Sequence, residues 1–450
     1  MEEMSRRVVL PDGDWVAEVD EDPTSTVLSP PESAGTEPPH LSLMRKKGFV
    51  SYDEFGDTGA MRWHPRGMVV KDLLERYASS IANALETHRV ETPTMYDAAR
   101  PEISEQVSSF DERQYTTSGR DPLYLRFASD FGHFSTLRTL NLTEQQLPVR
   151  LYELAHGVFR QERSGETTAL TRQREFTLPD IHTAVANESM GRTEFVRQAA
   201  LALETEDAFD LEYALKLSMN AQDLEERREW VAELAGTLEK PIVLDIRPTA
   251  ERYWTVKLDY LFVDGYGNTT ELATVELDSE TVSRFDITYE RDSRSTHPVL
   301  VHCSPTGSIE RAFAAMLDRA AERRNPQFPV WLSPTQVRLI PVGAAHDAYC
   351  ADIAKRLESR SVRVDIDDRD RTVGKRVAKA EQDWVPYYIV VGDDEVKESS
   401  LQVTRRPEGI ERSMALGELE SVIDDATSGF PDATLCHARR LSERTRFDSL

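Results

Sequence analysis

The chain has 450 residues, enough for two or three domains with ordinary hydrophobic cores. Its 79 acidic residues against 54 basic ones leave a formal charge of -25 and a pI near 4.9. This balance excludes attraction to nucleic acid or an anionic membrane through the overall field, so a polyanionic partner needs a local basic surface.

Only ten of the basic residues are lysines, the usage expected of a halophilic protein kept soluble where salt shortens electrostatic range to a few ångströms. Cys303, Cys350 and Cys436 are odd in number and form no CxxC pair, which argues against a disulfide framework and for a reducing cytoplasm. The N-terminus lacks an apolar stretch of signal-peptide length, and no run approaches the ~18 apolar residues of a membrane helix, so a soluble cytoplasmic protein without a membrane partner is expected.

Residues 1–57 are acidic and rich in Pro and Ser, and read as a disordered extension. Helical spacing of apolar residues runs from Met68 through Leu85, and "VETPTM" follows as a strand. The segment 58–328 mixes helices with long alternating strands. "RYWTVKLDYLFV" and "TTELATVELD" flank the turn "DGYGN" as a hairpin, and an antiparallel sheet carrying helices, an α+β design, is predicted. After the Pro-rich joint at 326–334 the rhythm turns to "VRLIPV", "HDAYCADIAKRLESR", "VRVDIDD", "VGKRVAKAEQDW" and "YYIVVGD". Strand and helix alternate there, which predicts a parallel α/β domain over 329–427, with 428–450 as an arginine-rich tail.

The stretch "FRQERSGETTALTRQREFTLPDIH" holds the chemistry. It reads as the end of a strand, a loop and a returning strand whose period of two puts Arg172, Arg174, Phe176, Leu178, Asp180 and His182 on one face. Such a face is poor core. It makes a good ligand floor, because guanidinium forks match phosphate oxygens and a phenylalanine stacks under a base.

"FRQERSGE" with "RQREFTLPDIH" resembles motif 2 of the class II aminoacyl-tRNA synthetases, "GSIERAFAAML" resembles their motif 3, and "VETPTM" carries the proline of motif 1, a dimer-interface element. Within that class the chain resembles the threonyl-tRNA synthetase family from "MRWHPRGM" through "VPYYIVVGDDEV". The resemblance implies an α+β catalytic domain followed by an α/β anticodon-binding domain, ATP-dependent formation of a threonyl-adenylate, and transfer to tRNA(Thr) by a homodimer. It implies that Arg160 holds the α-phosphate and carboxylate, Glu162 the adenine amino group, Arg172 the triphosphate, Phe176 the adenine ring, and Arg311 the γ-phosphate. Mg²⁺ accompanies ATP. Asp180, Lys257 and either Tyr253 or Trp254 fall at threonine-contacting positions. Glu271 and Glu276 fall where bacterial relatives carry glutamine; a carboxylate facing triphosphate is unfavourable unless it binds Mg²⁺. Asp370, Glu398 and Arg405 fall near anticodon-contacting positions.

The family holds Zn²⁺ with one cysteine and two histidines; the matching positions here are Asp130, His182 and His302, with His133 as an alternative ligand. Asp is a competent oxygen ligand, weaker for zinc than a thiolate. Threonine and valine are nearly isosteric, and a metal taking both amino group and hydroxyl rejects valine, which lacks the second donor. Serine lacks only a methyl, worth ~1–3 kcal/mol. Because 57 residues precede the catalytic segment, an editing domain is not expected, and a separate trans-editing protein is. Two other readings stay open: a paralogue with a binding or regulatory role, and a class II enzyme for proline or serine.

Overall fold

The long alternating runs in the middle of the chain become one ten-stranded sheet in the computed structural model, which describes residues 7–16, 37–108, 113–163, 165–247, 253–264, 267–398, 400–435, 437–445 and 447. Cys436, Ser164 and two residues of the "DGYGN" turn lie outside the described residues. The chain divides into two compact units. One is built from the described residues up to Glu37, Gly56–Ala60 and Ala78–Ala315, and the other from Pro38–Phe55, Met61–Tyr77 and the chain from Met316 onward.

In the first unit the sheet runs Trp15–Val16, Arg7–Val9, Ile242–Arg247, Tyr213–Asn220, Trp254–Val263, Thr269–Asp278, Val299–Ser304, Glu175–Val185, Val149–Phe159, His88–Arg89. Tyr213–Asn220 pairs parallel with Ile242–Arg247, and His88–Arg89 pairs parallel with Val149–Phe159. Between those two pairings every neighbour is antiparallel, as an α+β design requires. Helices Glu188–Leu203 and Ala221–Leu238 start where Asn187 and Asn220 accept a hydrogen bond from the backbone N–H three residues on, at 3.0 and 2.7 Å. They pack on the sheet, with the rings of Phe195 and Trp230 in edge contact 5.3 Å apart.

Besides a shift between Trp254 and Val256, two departures from simple alternation bear on the site. Opposite Phe176 and Leu178 the Val149–Phe159 strand carries one extra residue, next to Gly157 at φ +69°. Opposite Asp259 and Leu261 the Thr269–Asp278 strand does the same. A bulge of this kind turns the side chains beyond it to the other face.

Three expectations change. "VETPTM" is not one strand: His88–Arg89 and Met95–Asp97 are strands, and between them Pro93 has no N–H to give while Thr92 turns its N–H and hydroxyl to the Glu153 carboxylate at 3.2 and 2.7 Å. Within 1–57, Arg7–Val9 pairs with Ile242–Leu244, and Pro39–Lys46 is a helix followed by the Val50–Tyr52 strand. In the second unit the sheet Val364–Ile366, Val337–Pro341, Tyr387–Val391, Ser400–Arg405, Ile410–Ala415 is parallel over its first three strands and antiparallel over the last two. In the charged "VTRRPEG", Val403, Thr404 and Arg405 end the first strand of that closing hairpin and residues 406–409 make its turn, with Gly409 at φ +64°.

The second unit holds a buried ion network. Arg338 gives Nε to Asp365 at 2.7 Å and a terminal nitrogen to Asp383 at 2.8 Å, and Arg66 and Lys379 also reach Asp383. The arginine-rich tail is docked on the sheet edge: Ile366 donates its N–H to the Arg439 carbonyl at 3.1 Å, and Arg444 pairs with Asp365 at 3.0 Å. Covering an edge strand removes a row of unpaired backbone groups.

Candidate active site

The sheet face of the first unit opposite those helices carries a cavity. The Glu175–Val185 strand supplies Phe176, Leu178 and Asp180 from alternate positions, and the Thr269–Asp278 strand supplies Thr274 and Glu276. Glu271 has the wrong parity for that face by simple alternation. The bulge brings it to the wall as well.

At one end lie guanidiniums. Arg160 follows the Val149–Phe159 strand, and Arg311 comes from the first turn of the Ile309–Glu322 helix. Arg311 donates to the carbonyls of Thr171 and Glu271 at 3.0 and 3.4 Å and has no carboxylate partner among the described residues. Burial, and then the charge of Arg311, lower the pKa of Arg160. Two cations pressed together in this way await an anion. Glu162, 4% exposed, balances the neighbouring cations: Arg113 and the Arg172 Nε each reach its Oε2 at 2.8 Å, and Arg160 lies 3.5 Å from Oε1.

Gly307 places the helix. Its φ is +62°, and a Cβ there would meet the Leu272 carbonyl oxygen at 2.3 Å, so only glycine lets the two backbones approach. Glu310 then accepts the Thr177 N–H at 2.9 Å, tying the helix start to the motif 2 strand.

At the other end are Asp130, Asp180, Glu276, Tyr253 and His302. Asp130 and His133 lie on the Asp130–Thr139 helix; His182 and His302 are cross-strand partners, their rings 4.4 Å apart. One ligand atom from each of Asp130, His182 and His302 lies within 4.8 Å of the others. His182 Nε2 is buried without a hydrogen-bond partner, 3.3 Å from Asp130 Oδ1, and its Nδ1 meets His133 Nδ1 at 2.7 Å. His133 therefore stands behind His182 as an orienting partner. Burial, and next the charge of His302, push His182 well below the usual imidazole range. His302 Nε2 lies 3.1 Å from Asp278; burial lowers its pKa, but that hydrogen bond and charge win and push it up to about 9. Burial and the Asp130 charge push Asp180 up to about 7, while the Ser129 N–H, at 3.0 Å, opposes this. An orphaned imidazole nitrogen beside carboxylates that resist ionising together is a donor set that fits a divalent cation.

Tyr253 lines this end and donates to Glu276 at 2.8 Å, whereas Trp254 faces Arg247. Lys257 lies outside the lining, bonded to Asp259 and Glu271 at 3.0 and 3.3 Å; burial opposes its charge, but Glu271, Asp259 and Glu276 raise its pKa. Arg172 also lies outside it, paired with Glu162 and with Glu166. Arg174 is turned to Asp57. Sequence reasoning missed Arg113, Phe127 and Gln173, which carry no periodic or motif signal of their own. In the second unit Asp370 lies before the Val373–Gln382 helix, Glu398 ends the Asp393–Glu398 helix, and Arg405 ends a strand and pairs with Glu408 at 3.0 Å.

Residues 115–320 match the family described as "tRNA synthetase class II core domain (G, H, P, S and T)", and residues 336–426 match "Anticodon binding domain". With the antiparallel sheet and the paired guanidiniums, these matches define a class II aminoacyl-tRNA synthetase. The threonine–tRNA ligase of Methanosphaera stadtmanae is 38% identical over 93% of this chain and 69% of its own, and that of Methanobrevibacter smithii 35% over 97% and 74%. The chain belongs to the threonine–tRNA ligase family, whose ATP-dependent reaction joins L-threonine to its tRNA. A solved structure titled as the RNA binding domain of threonyl-tRNA synthetase from Cryptosporidium parvum Iowa II shares the fold, with a TM-score of 0.76 at 21% identity over 88% of this chain and 99% of that one.

Proposed function

We propose that the cavity binds ATP at its arginine end and threonine at its acidic end. The observation that carries this is the pair Arg160 and Arg311, crowded together at one end of a cavity whose other end is carboxylate and imidazole. Arg311 takes the γ-phosphate and Arg160 the α-phosphate with the substrate carboxylate. Phe176 stacks on the adenine, and Glu162 accepts from its amino group. Asp180 accepts from the threonine hydroxyl, and Tyr253 with Glu276 frames the ammonium. No general base is needed: the carboxylate oxygen attacks the α-phosphorus in line, pyrophosphate leaves, and the arginines offset the charge that develops. Mg²⁺ enters with ATP, and Glu271, whose backbone carbonyl accepts from Arg311, offers it a carboxylate on the cavity wall. Lys257 acts from behind, holding Glu271 in place. Arg172 reaches the triphosphate only by leaving Glu162.

Asp130, His182 and His302 would hold Zn²⁺, which when bound supplies a Lewis acid able to take amino group and hydroxyl together. The motif 1 segment, with Met95 52% exposed, supports a homodimer interface. Asp370, Glu398 and Arg405 face anticodon bases in this reading, and the composition supports a cytoplasm of high salt; no helix among the described residues is long and apolar enough to cross a membrane. The test is ATP/pyrophosphate exchange with threonine, serine, valine and proline, alongside metal analysis of the purified chain. Threonine-dependent exchange that disappears in Arg311→Ala, with one metal lost in Asp130→Ala, is expected; exchange indifferent to Arg311 would overturn the ATP assignment, and wild-type protein without metal would overturn the triad.

A further inference from the structure

Behind the acidic end of the cavity the first unit buries a line of polar groups that the adenylation chemistry leaves unused. Glu153 stands in the Val149–Phe159 strand, His133 in the Asp130–Thr139 helix and His182 in the Glu175–Val185 strand, each no more than 2% exposed. Three donors fix the Glu153 carboxylate. Its Oε1 accepts from Arg126 at 2.6 Å and from the Thr92 N–H at 3.2 Å, and its Oε2 accepts from the Thr92 hydroxyl at 2.7 Å. Arg126 is held in turn, donating to the carbonyls of Thr92, His156 and Gly157. On its other side Oε2 faces His133 Nε2 at 3.8 Å, and that nitrogen is buried without a hydrogen-bond partner.

These contacts fix where the imidazole protons sit. The Nδ1 atoms of His133 and His182 meet at 2.7 Å and hold one proton between them, since two N–H groups would point at each other. A bare His133 Nε2 would set its lone pair against a carboxylate, so that nitrogen carries the proton and His133 Nδ1 is the acceptor. The shared proton then belongs to His182 Nδ1, and Asp180 Oδ1, 3.8 Å from that atom, favours the same placement. A neutral imidazole carries one proton, so His182 Nε2, the atom 3.3 Å from Asp130, keeps its lone pair free.

We propose that Glu153, acting through His133, is a positioning residue that fixes the tautomer of His182, so that Nε2 and not Nδ1 is bare toward Asp130. The consequence for metal affinity rests on the reading of Asp130, His182 and His302 as a divalent-cation site. Neither Glu153 nor His133 lines the cavity, so both act through His182 and not on substrate.

Glu153→Gln tests the relay without a change of shape. Arg126 and the Thr92 N–H keep the amide oxygen on their side, which turns the new NH₂ toward the Thr92 hydroxyl and His133 Nε2. His133 must then accept at Nε2 and donate from Nδ1, and the proton of His182 moves to Nε2. In nitrogen NMR of the full chain, labelled at histidine and stripped of metal, His182 should show Nδ1–H in the wild type and Nε2–H in Glu153→Gln. The dissociation constant for Zn²⁺, measured by competition with a chromophoric chelator, should rise roughly 10- to 100-fold. His133→Leu removes the acceptor and should weaken Zn²⁺ to a similar degree, while His133→Asn, whose amide oxygen stands in for Nδ1, restores affinity. The wild-type spectrum needs no variant to fold: Nε2–H on His182 there overturns the proposal. So does a Glu153→Gln protein with an unchanged tautomer, or one whose tautomer has switched while Zn²⁺ affinity stays the same. Wild-type protein that shows the Nδ1–H tautomer yet takes up no Zn²⁺ would overturn the metal reading and not the tautomer assignment.

Discussion

Replacing Gly307 by alanine tests how the motif 3 helix is seated. The residue has φ +62°, and the new Cβ would stand 2.3 Å from the Leu272 oxygen and 2.6 Å from its carbonyl carbon. Gly409, in the closing hairpin of the second unit, has φ +64° and nothing within 4 Å, so Gly409→Ala carries the same backbone strain without the collision. The left-handed conformation costs ~1–2 kcal/mol for a residue with a Cβ. Overpacking against backbone that cannot rotate away adds ~1–3 kcal/mol, so Gly307→Ala should lose more local stability than Gly409→Ala by that margin. Relief requires Leu272 to move, and with it Glu271, whose carbonyl accepts from Arg311. The catalytic efficiency for ATP in pyrophosphate exchange should then fall at least about tenfold, corresponding to ~1.4 kcal/mol of transition-state stabilisation. Segment-resolved hydrogen exchange reports each local stability separately. Equal losses in the two variants, with ATP kinetics unchanged in Gly307→Ala, would refute the close-approach argument.

Glu162→Gln leaves Arg113, Arg160 and Arg172 without their shared counter-charge, and exchange kinetics should show a ten- to hundredfold loss of efficiency with ATP, or ~1.4–2.8 kcal/mol. Tyr253→Phe removes the hydroxyl that donates to Glu276; a hydrogen bond to a charged group is worth ~1.5–3 kcal/mol, so the KM for threonine should rise about tenfold or more while the KM for ATP stays put. In the second unit, burial opposes ionisation of Asp383, but Arg66, Arg338 and Lys379 outweigh it and hold its pKa below the usual carboxylate range. A depressed folded pKa contributes stability that is present above the unfolded value of ~3.9 and is lost as pH falls below it. Urea midpoints measured against pH should therefore drop on the acid side in the wild type, and Asp383→Asn should lower neutral stability by ~3–5 kcal/mol and flatten that limb.

Periodicity and motif chemistry carried far. The strand Thr269–Asp278 has the bounds read from "TTELATVELD", and Phe176, Leu178 and Asp180 share a face because a strand alternates whatever it pairs with. Those signals are local: they need only the neighbours in the chain. Glu271 was hard to place for the opposite reason, because its direction depends on a bulge, which exists only between two paired strands. The role of His133 behind His182 likewise emerges only when the Asp130–Thr139 helix is laid against the sheet.

Composition and pattern by themselves determined an acidic chain with an α+β part, an α/β part and an arginine-rich stretch that alternates as a strand. Tertiary structure alone decided that Arg172 is held by Glu162, that Arg7–Val9 extends the great sheet, and that the tail closes an edge. Hydrogen bonds and ion pairs between residues far apart in sequence leave no spacing to read, since either partner alone looks like any other solvated polar side chain.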